Sequence, residues 1–222
     1  MNKLISTLLN GGDLQSGLLG LLYSIPGILI ALSFHEWAHA FAAYKCGDMT
    51  ARNLGRMTVN PFKHLDPVGF IMLLVAGFGW AKPVPVSFRN SKHIVRDSLI
   101  VSSAGILMNI VLVFVFAGLL ALLYAVPSLY NDIAANLIVY AIYINAGLAA
   151  FNILPIPPLD GYRLVETLLI RKTGPQPFMF IERYGSIILV VVLVTGIVER
   201  VVGPLSNLLV DGALGFYNLF FS

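Results

Sequence analysis

The stretch Gly17–Tyr44 reads GLLGLLYSIPGILIALSFHEWAHAFAAY, and its first eighteen residues, Gly17 to Phe34, carry no charge. An uncharged apolar run of that length is the signature of a helix that crosses a bilayer. The polar cluster His35, Glu36 and His39 follows it before the run ends at Tyr44. At the 1.5 Å rise of a helix, His39 lies about 8 Å and His35 about 14 Å inside that end. A charged side chain at membrane depth costs about 2.5–3.5 kcal/mol on insertion scales, so an ionisable cluster there marks a functional site.

The rest of the chain has the same character. Of its 222 residues 58% are hydrophobic and 11% charged, against about 25% charged in a soluble domain. Further apolar runs cover Leu99–Tyr124, Ile133–Phe151 and Ile187–Val198, while Leu205–Phe221 holds Asp211 and reads as either a span or an interfacial helix. The expected fold is an all-α membrane protein. It forms one domain over residues 1–222, a polytopic bundle of about four to six spans: 17–44, which carries the His-Glu-His cluster, then 99–124, 133–151 and 187–198, then the helix 205–221. The segment Met1 to Ser16 holds one charge, Lys3, before Gly11, Gly12 and Asp13 interrupt it, a poor match to a cleavable signal peptide. The single cysteine, Cys46, excludes an internal disulfide and a cysteine-based metal cluster.

Charge placement sets the orientation. Twelve of the fourteen basic residues fall in three groups, Lys45 to Lys63, Lys82 to Arg96 and Arg163 to Arg183, whereas Val126–Asp132 has none. Basic loops face the cytoplasm, so the first span runs inward and the polar cluster opens toward that side of the cell membrane. The net charge of +3 follows from this loop bias, and no nucleic-acid partner is expected. The apolar segment Asp66–Trp80 is short for a span and has basic loops on both sides. It is expected to dip in and return, as a re-entrant or β-hairpin element near residues 66–88; a short span that breaks the charge rule is the alternative.

Residues four apart share a helix face, so His35 and His39 can bind one metal ion. A glutamate beside such a pair is placed to take a proton from a metal-activated water. A catalytic zinc has three protein ligands and one open position, and the remaining histidines, His64 and His93, lie in basic loops, where they are read as solvated residues, with gating of access or a second metal as the alternative. Asp160 is the candidate third ligand. It follows Asn152-Ile-Leu-Pro-Ile-Pro-Pro-Leu, whose prolines stop the third span on the same side as His39. Its plainer role is a helix N-cap. Asn152 is either a donor to a developing oxyanion or an interhelical hydrogen-bonding group.

These residues resemble the site-2 protease family of intramembrane zinc metalloproteases, in its compact form without an appended PDZ or CBS domain. The resemblance rests on His35–His39, Asn60-Pro-Phe-Lys-His-Leu-Asp-Pro67, Gly79-Trp-Ala-Lys-Pro-Val-Pro-Val86 and Asn152–Gly161. It implies that His35, His39 and Asp160 hold one Zn2+, that Glu36 is the catalytic base and that Asn152 stabilises the transition state. It also implies substrates that are single-pass membrane proteins, regulatory precursors among them, or membrane-inserted remnant signal peptides. Ala104-Gly-Ile-Leu-Met-Asn109 is similar to a family pattern in which proline follows the glycine; Ile106 stands there instead. Asn109 is therefore read either as lying near substrate or as an interhelical hydrogen bond. Pro83, Val84, Pro85 and Val86 suit an edge strand that receives an extended substrate, or else a proline-stiffened loop. A metal transporter could also place His and carboxylate groups in the membrane, but would have no use for Glu36.

Overall fold

The computed structural model describes residues 14–76, 79–89 and 91–221, so the expectation for Met1 to Ser16 lies almost wholly outside the described residues. The chain is helical: α1 (Leu14–Lys45), a short α2 (Thr50–Asn53), α3 (Pro67–Ala76), α4 (Ile94–Ala125), α5 (Asp132–Asn152), α6 (Asp160–Thr173), α7 (Gln176–Val194) and α8 (Ile197–Phe221). Four of these, α1, α4, α5 and α7, are long and apolar enough to cross a membrane. The outward face of α4 confirms the medium it meets. Leu107, Val111, Val115, Leu119 and Leu122 recur at helical spacing and are all exposed, an apolar stripe that a water-soluble surface rarely carries.

Three helices, α1, α4 and α5, pack against one another, and α8 lies along α4 and α5. Lipid tails are as apolar as leucine, so helix association in a membrane depends on close backbone approach through small residues. The sequence supplies them. Ala31, Ala40, Ala43, Ala141, Ala146, Ala149 and Ala150 are almost wholly buried. At Gly27 the approach is closest: a Cβ there would sit 3.1 Å from the Ala141 Cα. The apolar core beyond the crossing joins Val113, Ala117 and Leu120 of α4 to Ile142 and Ala146 of α5 and to Val210 and Ala213 of α8.

Several boundaries depart from the sequence reading. Span 187–198 is instead α7, which begins at Gln176 and ends at Val194. A search for uncharged runs skips Glu182 and Arg183, and Gly196 with φ 72° breaks the helix before Val198. Helix α8 starts at Ile197 instead of Leu205 and continues through Pro204, which lies inside it. Pro26 likewise sits within α1. Helix α6 is joined to α7 by the Tyr162 hydroxyl, which donates to the Phe178 carbonyl at 3.0 Å. Burial, with Glu166 and Glu182 adding to it, pushes that hydroxyl up to about 12, so it remains a donor at any physiological pH.

The 66–88 region is an out-and-back excursion and not a single crossing. The Lys82 N–H donates to the His64 carbonyl at 2.7 Å, and Leu65 bridges Ala81 in antiparallel sense, so the two ends of the excursion meet. The outward arm is the ten-residue helix α3, and the return arm is irregular chain without a strand ladder among the described residues. The β-hairpin alternative therefore does not form. The arms cross where two glycines face each other: a Cβ on Gly69 would overlap the Trp80 carbonyl, and one on Gly79 would overlap the Gly69 carbonyl. His64, expected to be solvated, is 1% exposed at the base of this excursion, with Nε2 bonded to the Thr58 carbonyl at 2.6 Å.

Because overpacking a close contact costs roughly 1–3 kcal/mol, Gly69→Ala is expected to open the excursion. Hydrogen exchange across residues 65–82 should accelerate in that variant. Gly147→Ala, where a Cβ meets nothing within 4 Å, should leave the same amides unchanged.

Candidate metal centre

Helix α1 ends at Lys45, which places His39 about 9 Å and His35 about 15 Å inside its C-terminal end at 1.5 Å per residue. Asp160 comes from a different direction. After α5 stops at Asn152, the proline-rich turn brings the chain back and α6 begins at Asp160. Gly161 permits the return: a Cβ there would lie 2.7 Å from the Leu154 carbonyl oxygen. Asp160 makes no capping bond; the N-cap of α6 is Leu159. The N-cap role considered for Asp160 is therefore not the one it takes.

The three side chains converge. His35 Nε2 and His39 Nε2 are 3.0 Å apart, and Asp160 Oδ2 lies 3.3 Å from the first and 3.1 Å from the second. Their protonation follows from the opposite ring nitrogens. His39 Nδ1 lies 2.7 Å from the Val101 carbonyl, which can only accept, so Nδ1 carries the proton. His35 Nδ1 lies 2.7 Å from Asn109 Oδ1. The orientation of that amide is fixed because its Nδ2 donates to the Ala31 carbonyl at 3.2 Å and to Asn145 Oδ1 at 2.9 Å. With Nδ1 engaged on each ring, both turn Nε2 toward the Asp160 carboxylate, where each offers a lone pair when it carries no second proton.

Three lone-pair groups within 3.3 Å repel one another unless a proton or a metal cation lies between them. Asp160 Oδ2 is correspondingly buried with no hydrogen-bond partner. Ligand atoms held about 2.0–2.1 Å from a tetrahedral zinc lie about 3.3 Å apart, close to the spacing seen. These three residues are also the group of His, Cys, Asp and Glu side chains among the described residues that could hold a metal ion. The donor set, two imidazole nitrogens and one carboxylate oxygen, fits such an ion.

The comparisons with known proteins agree with this geometry. Residues 127–196, which include Asn152 and Asp160, match the family described as Peptidase family M50. The chain is 39% identical to "Putative zinc metalloprotease YwhC" of Bacillus subtilis, over 90% of this chain and 92% of that one. It is 31% identical to "Putative zinc metalloprotease Rip2" of Mycolicibacterium smegmatis, over 79% of this chain and 68% of that one.

The chain belongs to peptidase family M50, the site-2 protease family.

No solved structure matches it. As a member of this family the protein is a metalloprotease, and its four apolar helices make it a multi-pass membrane protein.

The remaining site candidates of this M50 peptidase divide. Glu36 is 9% exposed, and its Oε2 accepts from the Val84 N–H at 2.8 Å, so the 83–86 segment does run beside the His-Glu-His turn. Asn152 is buried and donates back to the Leu148 carbonyl of its own helix at 3.0 Å. Asn109, considered for substrate contact, is fully buried, and both ends of its amide are engaged as described above. It orients His35 instead, in the way outer partners fix the tautomer of metal-bound histidines. The interhelical hydrogen bond weighed for it is what it makes here, with a candidate metal-ligand histidine as the partner. His93 is exposed at the start of α4 and Cys46 is a half-buried free thiol; neither approaches the three ligands.

Two residues of the centre escaped the sequence reading. Asn145, fully buried, extends the chain His35–Asn109–Asn145 and donates to the Ala141 carbonyl at 2.8 Å. Gly105 is where α4 passes the metal ligands, and a Cβ there would overlap both the His35 and His39 rings. The spacing of Gly105 and Asn109, four residues apart on one face, was the available signal.

Loss of an outer-shell partner typically weakens metal affinity about 10–100-fold, so Asn109→Ala is expected to raise the zinc dissociation constant by that factor while the helical content is retained. Gly105→Ala should weaken zinc at least as much, because the displaced groups are the ligands themselves. Competition with a chelator of known affinity, read by metal analysis of the purified protein, checks both.

Proposed function

We propose that this M50 peptidase is a zinc-dependent intramembrane endopeptidase that hydrolyses peptide bonds in or near the membrane segment of single-pass regulatory proteins or remnant signal peptides. The observation that carries the reading is the convergence of the His35, His39 and Asp160 lone pairs next to Glu36, on a helix long enough to cross a bilayer. His35, His39 and Asp160 would hold one Zn2+, which when bound would supply Lewis-acid polarisation of the scissile carbonyl and a lowered pKa for a bound water. Glu36 takes the proton of the attacking water and later gives it to the leaving amine. Asn152 donates to the developing oxyanion, which requires its amide to turn from Leu148.

The basic loops put the opening of the centre toward the cytoplasm. Substrate reaches it as an unwound, extended segment beside Pro83–Val86. That segment offers strand addition mainly through its carbonyl groups, since Pro83 and Pro85 have no N–H and the Val84 N–H is committed to Glu36. Support for the substrate class comes from the family resemblance and from a site within a helix that spans apolar surroundings.

The test uses purified enzyme in liposomes with a single-pass peptide substrate. Glu36→Gln should retain zinc and lose cleavage by at least about 100-fold, the scale of general-base catalysis. His39→Ala and Asp160→Ala should lose zinc and cleavage together. Cleavage that persists in Glu36→Gln, or zinc flux across the liposome without cleavage, would show the reading to be wrong.

A further inference from the structure

The return arm of the excursion is gripped far more tightly than a docking edge requires. Lys82 donates its N–H to His64, and the Lys82 and Pro83 carbonyls accept from the Arg56 guanidinium at 2.7 and 3.3 Å. Ser87 donates its N–H to Asp48 at 2.7 Å. Between these anchors the Val84 side chain, 9% exposed, packs with Ala40 and Ala51. Ala40 is one turn beyond Glu36 on the same face of α1. The side chain of Val84 and its N–H therefore meet the same helix face, the first through Ala40 and the second through Glu36 Oε2.

The flanking prolines make this contact singular. Each has a fixed φ and no N–H, so Pro83–Val84–Pro85 contains one amide hydrogen, and it is aimed at the carboxylate. A buried carboxylate without a fixed donor can rotate among rotamers. With Oε2 held, Oε1 is the oxygen left free to receive a proton.

We propose that the main-chain N–H of Val84 positions the Glu36 carboxylate for catalysis, so that Lys82–Val86 is an arm of the catalytic machinery as well as a surface beside the substrate. This rests on the reading of Glu36 as the base. Arg56, by holding the two carbonyls before Val84, fixes the arm; Val84 itself is a positioning residue.

Three forms separate this role from docking and from folding. Val84→Ala keeps the N–H; Val84→Pro removes it; and an ester in place of the Pro83–Val84 amide removes it without altering the side chain. Loss of a hydrogen bond to a charged group should lower kcat about tenfold or more in the Pro and ester forms, with KM and zinc content unchanged, while the Ala form, which truncates the side chain packed on Ala40 and Ala51 but keeps the N–H, should retain more kcat than either. In metal-free protein, exchange of the single amide hydrogen of Pro83–Pro85 should be slow and should accelerate at least about tenfold in Glu36→Ala.

A raised KM with unchanged kcat would overturn the proposal in favour of pure docking. So would loss of zinc in step with activity across all three forms, or exchange indifferent to Glu36. Should Glu36→Gln remain active, the base assignment itself fails, a result distinct from any of these.

Discussion

Three lone-pair atoms brought to within 3.3 Å of one another at a largely buried point are the constraint around which this chain is organised. Two come from one face of α1, and their tautomers are fixed from behind by Val101 and Asn109 of α4. The third arrives 121 residues after His39, at the start of α6. A cation relieves the repulsion. Without one, the arrangement would relax by protonation or by withdrawal of Asp160.

Most of the packing around the centre serves that convergence. Small residues at Gly27, Ala31, Ala141 and Ala149 let α1 and α5 approach closely, and Gly105 lets α4 pass the two imidazoles. The Asn109–Asn145 pair ties α4 to α5 while fixing a tautomer on α1. A single hydrogen bond in a membrane protein is worth on average about 0.6 kcal/mol, so the pair does little for stability alone. Its effect is on direction: it keeps a lone pair of His35 turned toward the metal. The same economy governs the outer arm, where one backbone amide between two prolines meets Glu36.

How much of this was legible in sequence depends on the range of the interaction. The His35–Glu36–His39 turn, the main spans and the basic loops are local patterns, and they read directly. Asp160 was reachable only as one of two alternatives, because spacing cannot distinguish a ligand from an N-cap; the resemblance favours the ligand, and the geometry brings it to the two histidines without a capping bond. Asn109 was read as a choice between substrate contact and helix pairing, since an asparagine facing inward from a span has the same pattern in both cases. Asn145 carried no local signal, and Gly105, though part of the Ala104–Asn109 motif, had no readable role, because both act only where helices cross. His64 was misjudged for a related reason: its basic neighbours suggest solvent, whereas the excursion that folds over it closes through a main-chain bond to Lys82. The start of α7 was missed because Glu182 and Arg183 interrupt an apolar count without interrupting the helix.

The claim that the three groups form one metal centre is tested most directly by X-ray absorption at the zinc edge on the purified protein in detergent or lipid. The account expects one zinc per chain, a first shell of nitrogen and oxygen at about 2.0–2.1 Å, and outer-shell scattering from two imidazoles. A shell of oxygen alone, a sulfur ligand from Cys46, or zinc bound at less than one ion per ten chains after saturation and washing would contradict it.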